Sequence, residues 1–350
     1  MHTFIRKTAK FSNLISAYIS TYFTCTPAFV RIIPTDRCNL NCKYCWQKSD
    51  SSYEMRLGEY RLYLAKAKKL RVGMITFLGG EPMLWKYLYE AIAETSQKNI
   101  LTDMTTNGLL LNTESIRKLG ESGLDYLNIS VDGIKTNPVT KKNSVIRNNL
   151  IHDLRKAKNK YRMHFRLNSV IFKNNFEETA QLIEFSKENN AQLSLGFIVP
   201  PIEKNQSGGQ DIYFGRQDEK ELRQIVSYII SKKRSGYPII DPDAYFMDIF
   251  RFINREKFWN CNYPTRYGWI NITPKGKIRS CTKKMDELDY HFTDLNPDNY
   301  RQLRKIFGEN VKKCNIRCYS NCAYDSWYYM HNKVRMLKKI ISRVRYGLSS

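Results

Sequence analysis

Cysteines are the residues of this chain best suited to chemistry, and eight of the nine fall into two sets. Cys38, Cys42 and Cys45 form a triplet with the spacing Cys-x3-Cys-x2-Cys. A looser set begins more than 200 residues later and consists of Cys261, Cys281, Cys314, Cys318 and Cys322. Thiolates are soft ligands that select iron–sulfur clusters among few alternatives, so both sets could bind metal.

Disulfides and structural zinc are the other interpretations of this cysteine content. Disulfide scaffolds are typical of short secreted chains, whereas this chain has 350 residues and an odd number of cysteines. Its first 20 residues also lack an apolar core followed by a small-residue cleavage site. Zinc sites usually pair Cys-x2-Cys motifs or add histidines, yet no cysteine follows the triplet for more than 200 residues. Three thiolates without a fourth protein ligand suit a cubic cluster whose fourth iron stays open to another molecule.

The sequence around the triplet gives a closer match. The segment RCNLNCKYCW (37–46) resembles the cluster loop of the radical S-adenosylmethionine (radical SAM) enzymes. The resemblance implies that Cys38, Cys42 and Cys45 hold a 4Fe–4S cluster. It also implies that the amino and carboxylate groups of SAM chelate the fourth iron, and that Tyr44 lies against the adenine.

The elements that must position this loop alternate in type along the chain. A β-branched strand over 28–35 precedes the triplet, and the pattern then predicts helices over 57–72, 84–97, 113–122, 144–158 and 177–190. Between them lie predicted strands within 73–82, 100–108, 124–133, 162–172 and 192–198. Such alternation indicates a parallel sheet with right-handed crossovers and ligands at the carboxyl ends of the strands. With the resemblance, it predicts an α/β fold: a partial (β/α)6 barrel followed by a small cysteine-rich auxiliary iron–sulfur module.

The second predicted strand runs into Gly79-Gly80-Glu81-Pro82. A tight turn is the ordinary interpretation, because glycine adopts positive φ at little cost and proline ends a strand. The segment is also similar to the GGEP motif of the radical SAM family. That similarity implies that a backbone carbonyl and the Glu81 carboxylate bind the ammonium of SAM, with the glycines allowing close approach of the backbone.

Later strand ends supply the remaining predicted SAM contacts. Asn107 belongs to a Thr-Asn-Gly segment that resembles one in the same family. The resemblance places Ser130 and Asp132 at the SAM ribose, although Asp132 with the following glycine is also an ordinary turn dipeptide. Arg166 and Asn168 could reach the SAM carboxylate, or Arg166 could be a plain polar residue of its strand.

The second cysteine set encloses a predicted hairpin. Pro274-Lys275-Gly276 reads as its turn, between Cys261 and Cys281. This arrangement resembles the auxiliary-cluster module called SPASM, or its shorter form, twitch. Five cysteines would serve one auxiliary 4Fe–4S cluster with one left over, and the sequence does not tell which of Cys314, Cys318 and Cys322 is not a ligand. A zinc knuckle is the alternative.

Four segments follow from these motifs. They are an N-terminal amphipathic helix (1–27), a radical SAM core (28–235), the twitch- or SPASM-like domain (236–330) and a basic C-terminal helix (331–350). The single Cys25 is most simply a buried thiol.

The charge of the chain is strongly positive, with 57 Lys and Arg against 33 Asp and Glu. Residues 1–35 and 326–350 contain no acidic residue, and each carries an apolar stripe at helical spacing. These helices could pack on the barrel or make a peripheral membrane contact. Another part of the excess suits an acidic flavodoxin or ferredoxin as electron donor. We do not expect nucleic acid as a partner, because the sequence contains no recognisable nucleic-acid-binding module.

The resemblance implies an enzyme that reductively cleaves SAM to a 5′-deoxyadenosyl radical, which abstracts hydrogen from a substrate. Modules of the SPASM type favour a peptide, although 1–27 is too short for a leader-binding domain. The alternatives are a sugar, lipid or cofactor precursor, and, from another class, a non-enzymatic zinc- and nucleic-acid-binding protein. We expect a cytoplasmic protein, peripheral at the inner membrane surface if the terminal helices bind lipid; no apolar stretch reaches the roughly 20 residues that span a bilayer.

Overall fold

The computed structural model describes most of the chain. The described residues are 2–23, 26–45, 47, 53–135, 137, 139–198, 210–256, 258–259, 261, 269–279, 281, 287–314 and 318–330. The predictions for Cys25 and for the C-terminal helix 331–350 lie outside these residues.

Six parallel strands form the centre of the fold and follow one another in space as in sequence. They are β1 (Phe29–Ile32), β2 (Met74–Phe77), β3 (Leu101–Thr106), β4 (Tyr126–Ser130), β5 (His164–Ile171) and β6 (Gln192–Phe197). The helices are α1 (His2–Phe23), α2 (Leu57–Lys69), α3 (Leu88–Gln97), α4 (Thr113–Glu121), α5 (Ser144–Arg147), α6 (Ile151–Tyr161), α7 (Phe176–Glu188), α8 (Glu219–Arg234), α9 (Asp243–Met247) and α10 (Ile249–Ile253). The predicted alternation and the partial barrel are confirmed.

One predicted helix is wrong in its extent. The segment 144–158 was expected to be continuous, but α5 ends at Arg147 and α6 begins at Ile151. Asn149 between them has a φ of 51°. Asparagine tolerates this left-handed conformation better than most residues, and a residue in this conformation ends a helix.

The C-terminal part of the chain extends the same sheet. Strand β7 (Trp269–Ile272) pairs in parallel with β1, and β8 (Lys277–Arg279) and β9 (Glu287–His291) follow it as antiparallel strands. Helices α11 (Pro297–Lys312) and α12 (Asn321–Met330) complete the described chain. Side chains of this part, including Ile278 and Tyr300, belong to the same hydrophobic core as the barrel strands.

The barrel strands separate an apolar outer face from a polar inner face. Val30 and Ile32 of β1 pack in the main core with the surrounding helices, whereas Arg31 between them points to the other side. The register pairs Arg31 with Thr76 and Thr76 with Asp103, so these side chains share the inner face. The alternation follows from the pleat of the strands.

Helix α1 packs across the amino-terminal edge of the sheet. Lys10 forms a buried ion pair with Asp125, with 2.6 Å between Nζ and Oδ2. Lys7 is also buried and donates a hydrogen bond to the carbonyl of Arg162. Of the two alternatives for this helix, packing on the barrel is the one seen for α1, because the Asp125 carboxylate and the Arg162 carbonyl bind its lysines. No described helix is both long and apolar enough to cross a bilayer.

Candidate active site

The cysteine loop after β1 and the Gly-Gly-Glu loop after β2 are packed together at the carboxyl edge of the sheet. The N–H of Gly80 donates to the carbonyl of Thr35 (3.1 Å), and the N–H of Glu81 donates to that of Arg37 (2.8 Å). A Cβ atom on Gly80 would lie 2.0 Å from the Arg37 carbonyl oxygen. Gly79 has a φ of 139°, and its Cβ would lie 2.5 Å from the Thr35 oxygen. The glycines therefore let one loop dock on the other.

The carboxylate of Glu81 is fully buried and binds the backbone of two loops. One oxygen accepts hydrogen bonds from the N–H of Met83 (3.0 Å) and the hydroxyl of Thr106 (2.7 Å). The other accepts from the N–H of Asn107 (2.7 Å). Burial raises the pKa of Glu81, while these three bonds oppose the increase. Glu81 thus holds the ends of β2 and β3 together, a role that the sequence analysis missed.

Asn107 connects this pair of loops to the first cysteine. Its Nδ2 donates to the side-chain oxygen of Asn39 (2.7 Å) and lies 3.7 Å from the Cys38 sulfur. The predicted site residues Cys38, Glu81 and Asn107 are therefore neighbours.

The three cysteines of the triplet share one loop but differ in environment. Cys38 is exposed, Cys45 is partly buried, and Cys42 is buried with its sulfur 3.5 Å from the hydroxyl of Thr140. Among the described residues, no three Cys, His, Asp or Glu side chains are arranged closely enough to hold a metal ion.

Tyr44 lies in a buried charged group that spans two loops. Its hydroxyl donates to Asp132, and Lys142 donates to the Tyr44 oxygen (2.9 Å) with its ammonium 4.9 Å from the ring centroid. The second oxygen of Asp132 accepts from the N–H of Val170 (2.9 Å). Burial alone would lower the pKa of Lys142, but Tyr44 and Asp132 raise it well above its usual value. Asp132 is thus engaged within the protein, and its ribose role stays a prediction.

The β4 and β5 residues predicted to contact SAM lie on the inner face. Ser130 pairs in register with Asn168, and Arg166 lies two residues before Asn168. The Nε of Arg166 and the Oδ1 of Asn168 are buried and have no hydrogen-bond partner among the described residues. Polar atoms in this state are uncommon in a folded protein and suit contact with a bound molecule.

A polar layer crosses the barrel interior beside Arg166. Asp103 accepts hydrogen bonds from Thr76 (3.1 Å) and Asn128 (2.5 Å). Burial raises the pKa of Asp103, while the positive charges of Arg166 and Arg31 oppose the increase. Two arginines thus face one aspartate. Sequence reasoning missed Arg31, although a charged residue between buried Val30 and Ile32 was a usable signal.

The second cysteine set is distributed around the C-terminal elements. Strand β8 runs back from the carboxyl edge, with Arg279 opposite Asn271 of β7, so Cys281 lies toward the amino edge. Cys318 and Cys322 flank the start of α12, where Asn321 donates to Ser194 of β6 (3.3 Å). Cys314 follows α11, and Cys261 is partly buried.

Comparison with known families decides the identity of the core. Residues 32–186 match the model of the radical SAM superfamily. This segment is a radical SAM domain. Radical SAM enzymes use a 4Fe–4S cluster and SAM, and they need an electron donor.

Curated relatives cover most of the chain at low identity. The GTP 3′,8-cyclase of Clostridium botulinum (strain Okra / Type B1) is 26% identical over 279 residues, covering 75% of this chain and 83% of the relative. A probable GTP 3′,8-cyclase of Methanocaldococcus jannaschii is 27% identical over 302 residues, covering 83% and 93%.

Solved structures show the same fold. Streptococcus suis SuiB bound to S-adenosylmethionine aligns with a TM-score of 0.60 and 17% identity over 80% of this chain and 68% of SuiB. The protein anSMEcpe with bound AdoMet aligns with a TM-score of 0.63 and 17% identity over 90% and 99%. At this identity the likeness concerns the radical SAM fold alone.

The donor set of the cysteine loop fits the radical SAM cluster. Three thiols within eight residues are soft ligands for iron, and the loop carries no carboxylate and no histidine between Cys38 and Cys45. The unpartnered polar atoms of Arg166 and Asn168 fit a polar ligand such as SAM.

Proposed function

We propose that this radical SAM enzyme binds its cluster with Cys38, Cys42 and Cys45 and cleaves SAM to abstract a hydrogen atom from a substrate inside the barrel. The observation that carries the proposal is the convergence of three strand-end loops. Glu81 bonds to the loop after β3, and Asn107 reaches Cys38. These bonds join the proposed cluster ligands to the proposed SAM contacts as one rigid unit.

The proposed SAM contacts are shared among the loops. They are Tyr44, Gly79, Gly80, Glu81, Asn107, Ser130, Asp132, Arg166 and Asn168. The backbone carbonyl groups of the Gly-Gly-Glu segment and the Glu81 carboxylate would bind the ammonium, and Arg166 would bind the carboxylate. When bound, the cluster supplies the electron that breaks a carbon–sulfur bond of SAM. The chain orients SAM and excludes water from the reaction.

An auxiliary 4Fe–4S cluster bound by four of Cys261, Cys281, Cys314, Cys318 and Cys322 is the second part of the proposal. Its support is topological: β8 carries Cys281 toward the amino edge, whereas the triplet lies at the carboxyl edge. The proposed domain boundaries remain 28–235 for the core and 236–330 for this module, after the N-terminal segment 1–27.

Iron content and SAM cleavage test this function together. Anaerobically reconstituted protein should hold roughly eight irons per chain and form 5′-deoxyadenosine from SAM with a reductant. Replacing Cys38, Cys42 and Cys45 by Ala should abolish 5′-deoxyadenosine formation, whereas replacing Cys261 and Cys281 should lower the iron content only. Four irons in the wild-type protein would refute the auxiliary cluster, and zinc without iron would refute both.

The barrel interior favours a small anionic substrate, such as a cofactor precursor, over the peptide that the sequence suggested. Arg31 and Arg166 lie near Asp103, and Arg166 also lies near the buried Asp241, so two guanidinium groups line this layer. The curated relatives that are named for a reaction of GTP agree with this substrate class. Arginine binds carboxylate and phosphate oxygens in a bidentate manner.

Substrate-stimulated SAM cleavage separates the two classes. GTP, as the anionic probe, should raise 5′-deoxyadenosine formation above the uncoupled rate, and a pool of short peptides should not. Arg31→Gln should remove the stimulation and leave the uncoupled rate, whereas Arg117→Gln on the exposed face of α4 should change neither. Stimulation by the peptides alone would restore the peptide hypothesis.

The remaining proposals concern location. We propose a cytoplasmic enzyme whose basic segment 331–350 contacts anionic membranes. We assign the contact to this segment and not to α1, because Lys7 and Lys10 of α1 are bound within the protein. Co-sedimentation with anionic and neutral liposomes at low and high salt tests the contact. Equal, negligible sedimentation with both would refute it.

A further inference from the structure

Exposed lysines border the cysteine loop on two sides. Lys43 follows Cys42 directly, and its backbone N–H donates to the carbonyl of Val139 (3.1 Å). That bond fixes the cysteine loop against the loop 132–142, which carries Lys135 and Lys141. Lys43, Lys135 and Lys141 are exposed, and none of them forms an ion pair with the described part of the chain.

The described residues of the loop 132–142 form hydrogen bonds that hold its two ends together. The N–H of Asp132 donates to the carbonyl of Lys142 (3.1 Å), which closes the loop at its base. Inside it, Thr140 lies 3.5 Å from the Cys42 sulfur. Lys43 follows Cys42 in the sequence and Lys141 follows Thr140, so both lysines are next to the Cys42–Thr140 contact.

Among the described residues, no acidic side chain forms an ion pair with these lysines. Glu178 of α7 lies beside Gly133, at the start of the loop 132–142 and not at the end that carries Lys141. Glu81 and Asp132 are buried and bonded within the protein. Glu54 is engaged by Arg37 in an ion pair. The surface beside Cys42 is therefore positive and free to attract an anionic partner. Such fields raise association rates and weaken as salt screens them.

We propose that Lys43, Lys135 and Lys141 form the docking surface for a small acidic one-electron carrier protein of the flavodoxin or ferredoxin kind. The surface rests on the proposed function, because it places the donor beside the proposed cluster ligands. One electron passes from the reduced cofactor of the carrier to the cluster held by Cys38, Cys42 and Cys45, and the carrier leaves oxidised by one electron. Cys42 lies under the surface, so docking here shortens the path of the electron.

Carrier-driven and chemically driven SAM cleavage test this proposal. The reconstituted full chain is supplied with SAM and either reduced flavodoxin or dithionite, and 5′-deoxyadenosine is measured without substrate. The pair Lys43→Glu and Lys141→Glu should lower kcat/KM for flavodoxin by roughly tenfold or more. The dithionite-driven rate should stay within about twofold, because a small reductant needs no docking surface.

A matched charge reversal on α6 is the control. Lys156 and Lys160 are exposed on a helix that ends at the amino edge of β5, away from the cysteine loop. Lys156→Glu with Lys160→Glu gives the same change in net charge and should leave the flavodoxin-driven rate near that of the wild type. Rising salt should slow the wild-type reaction with flavodoxin and have less effect on the Lys43/Lys141 variant.

The outcomes distinguish a failure of the docking surface from a failure of the proposed function. Equal flavodoxin-driven rates in the wild type and the Lys43/Lys141 variant would overturn the docking surface. If the variant also loses the dithionite-driven rate, the neutral pair Lys43→Gln and Lys141→Gln decides in the same assay. If the wild type cleaves no SAM with dithionite, the proposed function fails, and salt-sensitive binding of flavodoxin to the two charge-reversed variants then tests the surface by itself.

Discussion

Replacing Glu81 by Gln should affect both SAM binding and the packing of the loops that form the site. Each oxygen of the Glu81 carboxylate accepts a backbone N–H, from Met83 on one side and from Asn107 on the other. A glutamine has one oxygen and one NH2 group. Whichever way its amide turns, the NH2 meets a backbone N–H, and a buried donor loses its acceptor.

The expected cost follows from that mismatch. An unsatisfied buried donor costs about 1–3 kcal/mol, so Glu81→Gln should lower the free energy of unfolding by about that amount. SAM affinity should also fall by about tenfold to a hundredfold if the charge-assisted bond to the ammonium is lost. The exposed Glu90 of α3, which pairs with Arg61 of α2, offers a matched control. Glu90→Gln should change stability by less than about 1 kcal/mol.

Two measurements separate the structural from the binding effect. Anaerobic denaturant unfolding of the cluster-loaded variants gives the stability change, and equilibrium dialysis gives the SAM dissociation constant. If Glu81→Gln unfolds like Glu90→Gln, the reasoning from the buried bonds is refuted. If SAM binding is unchanged in a folded, cluster-loaded variant, Glu81 is not the ammonium ligand.

Three further predictions concern the packing around the site. Gly80→Ala should lower iron per chain in an iron assay, because its Cβ would lie 2.0 Å from a backbone carbonyl oxygen of the cysteine loop; Gly58→Ala, with nothing within 4 Å, should not. Lys10→Met should cost about 3–5 kcal/mol in denaturant unfolding, since it leaves the Asp125 carboxylate buried without its cation; adding Asp125→Asn should recover part of that loss. Burial lowers the pKa of Lys7 from 10.5 to about 8. Between these pH values the unfolded chain binds the additional proton, so stability should rise with pH in the wild type relative to Lys7→Met, and a parallel pH profile of the two would refute this.

Local patterns were sufficient to predict the barrel. Strand and helix alternation is a property of short segments, so β1 to β6 and most of the helices could be placed from apolar spacing and turn residues. The break between α5 and α6 was missed because an asparagine at positive φ leaves no clear mark in the pattern of apolar residues.

The motifs of the site were equally visible, but their contacts were not. The cysteine spacing and the Gly-Gly-Glu-Pro segment are contiguous in sequence and identify the radical SAM loops. The glycines were expected to admit a ligand, whereas in the fold they admit the carbonyls of Thr35 and Arg37. Only packing of two loops from different strands could reveal this.

The sequence by itself predicted the alternating strands and helices and the match to the radical SAM superfamily, because each depends on residues adjacent in the chain. The tertiary structure alone decided which distant groups meet. Lys10 is bound to Asp125 across 115 residues, Asn107 lies at Cys38 across 69, and Lys142 lies at Tyr44 across 98. The sequence pattern of a helix does not show whether its lysines are exposed or buried in ion pairs, because burial and pairing depend on residues from other parts of the chain.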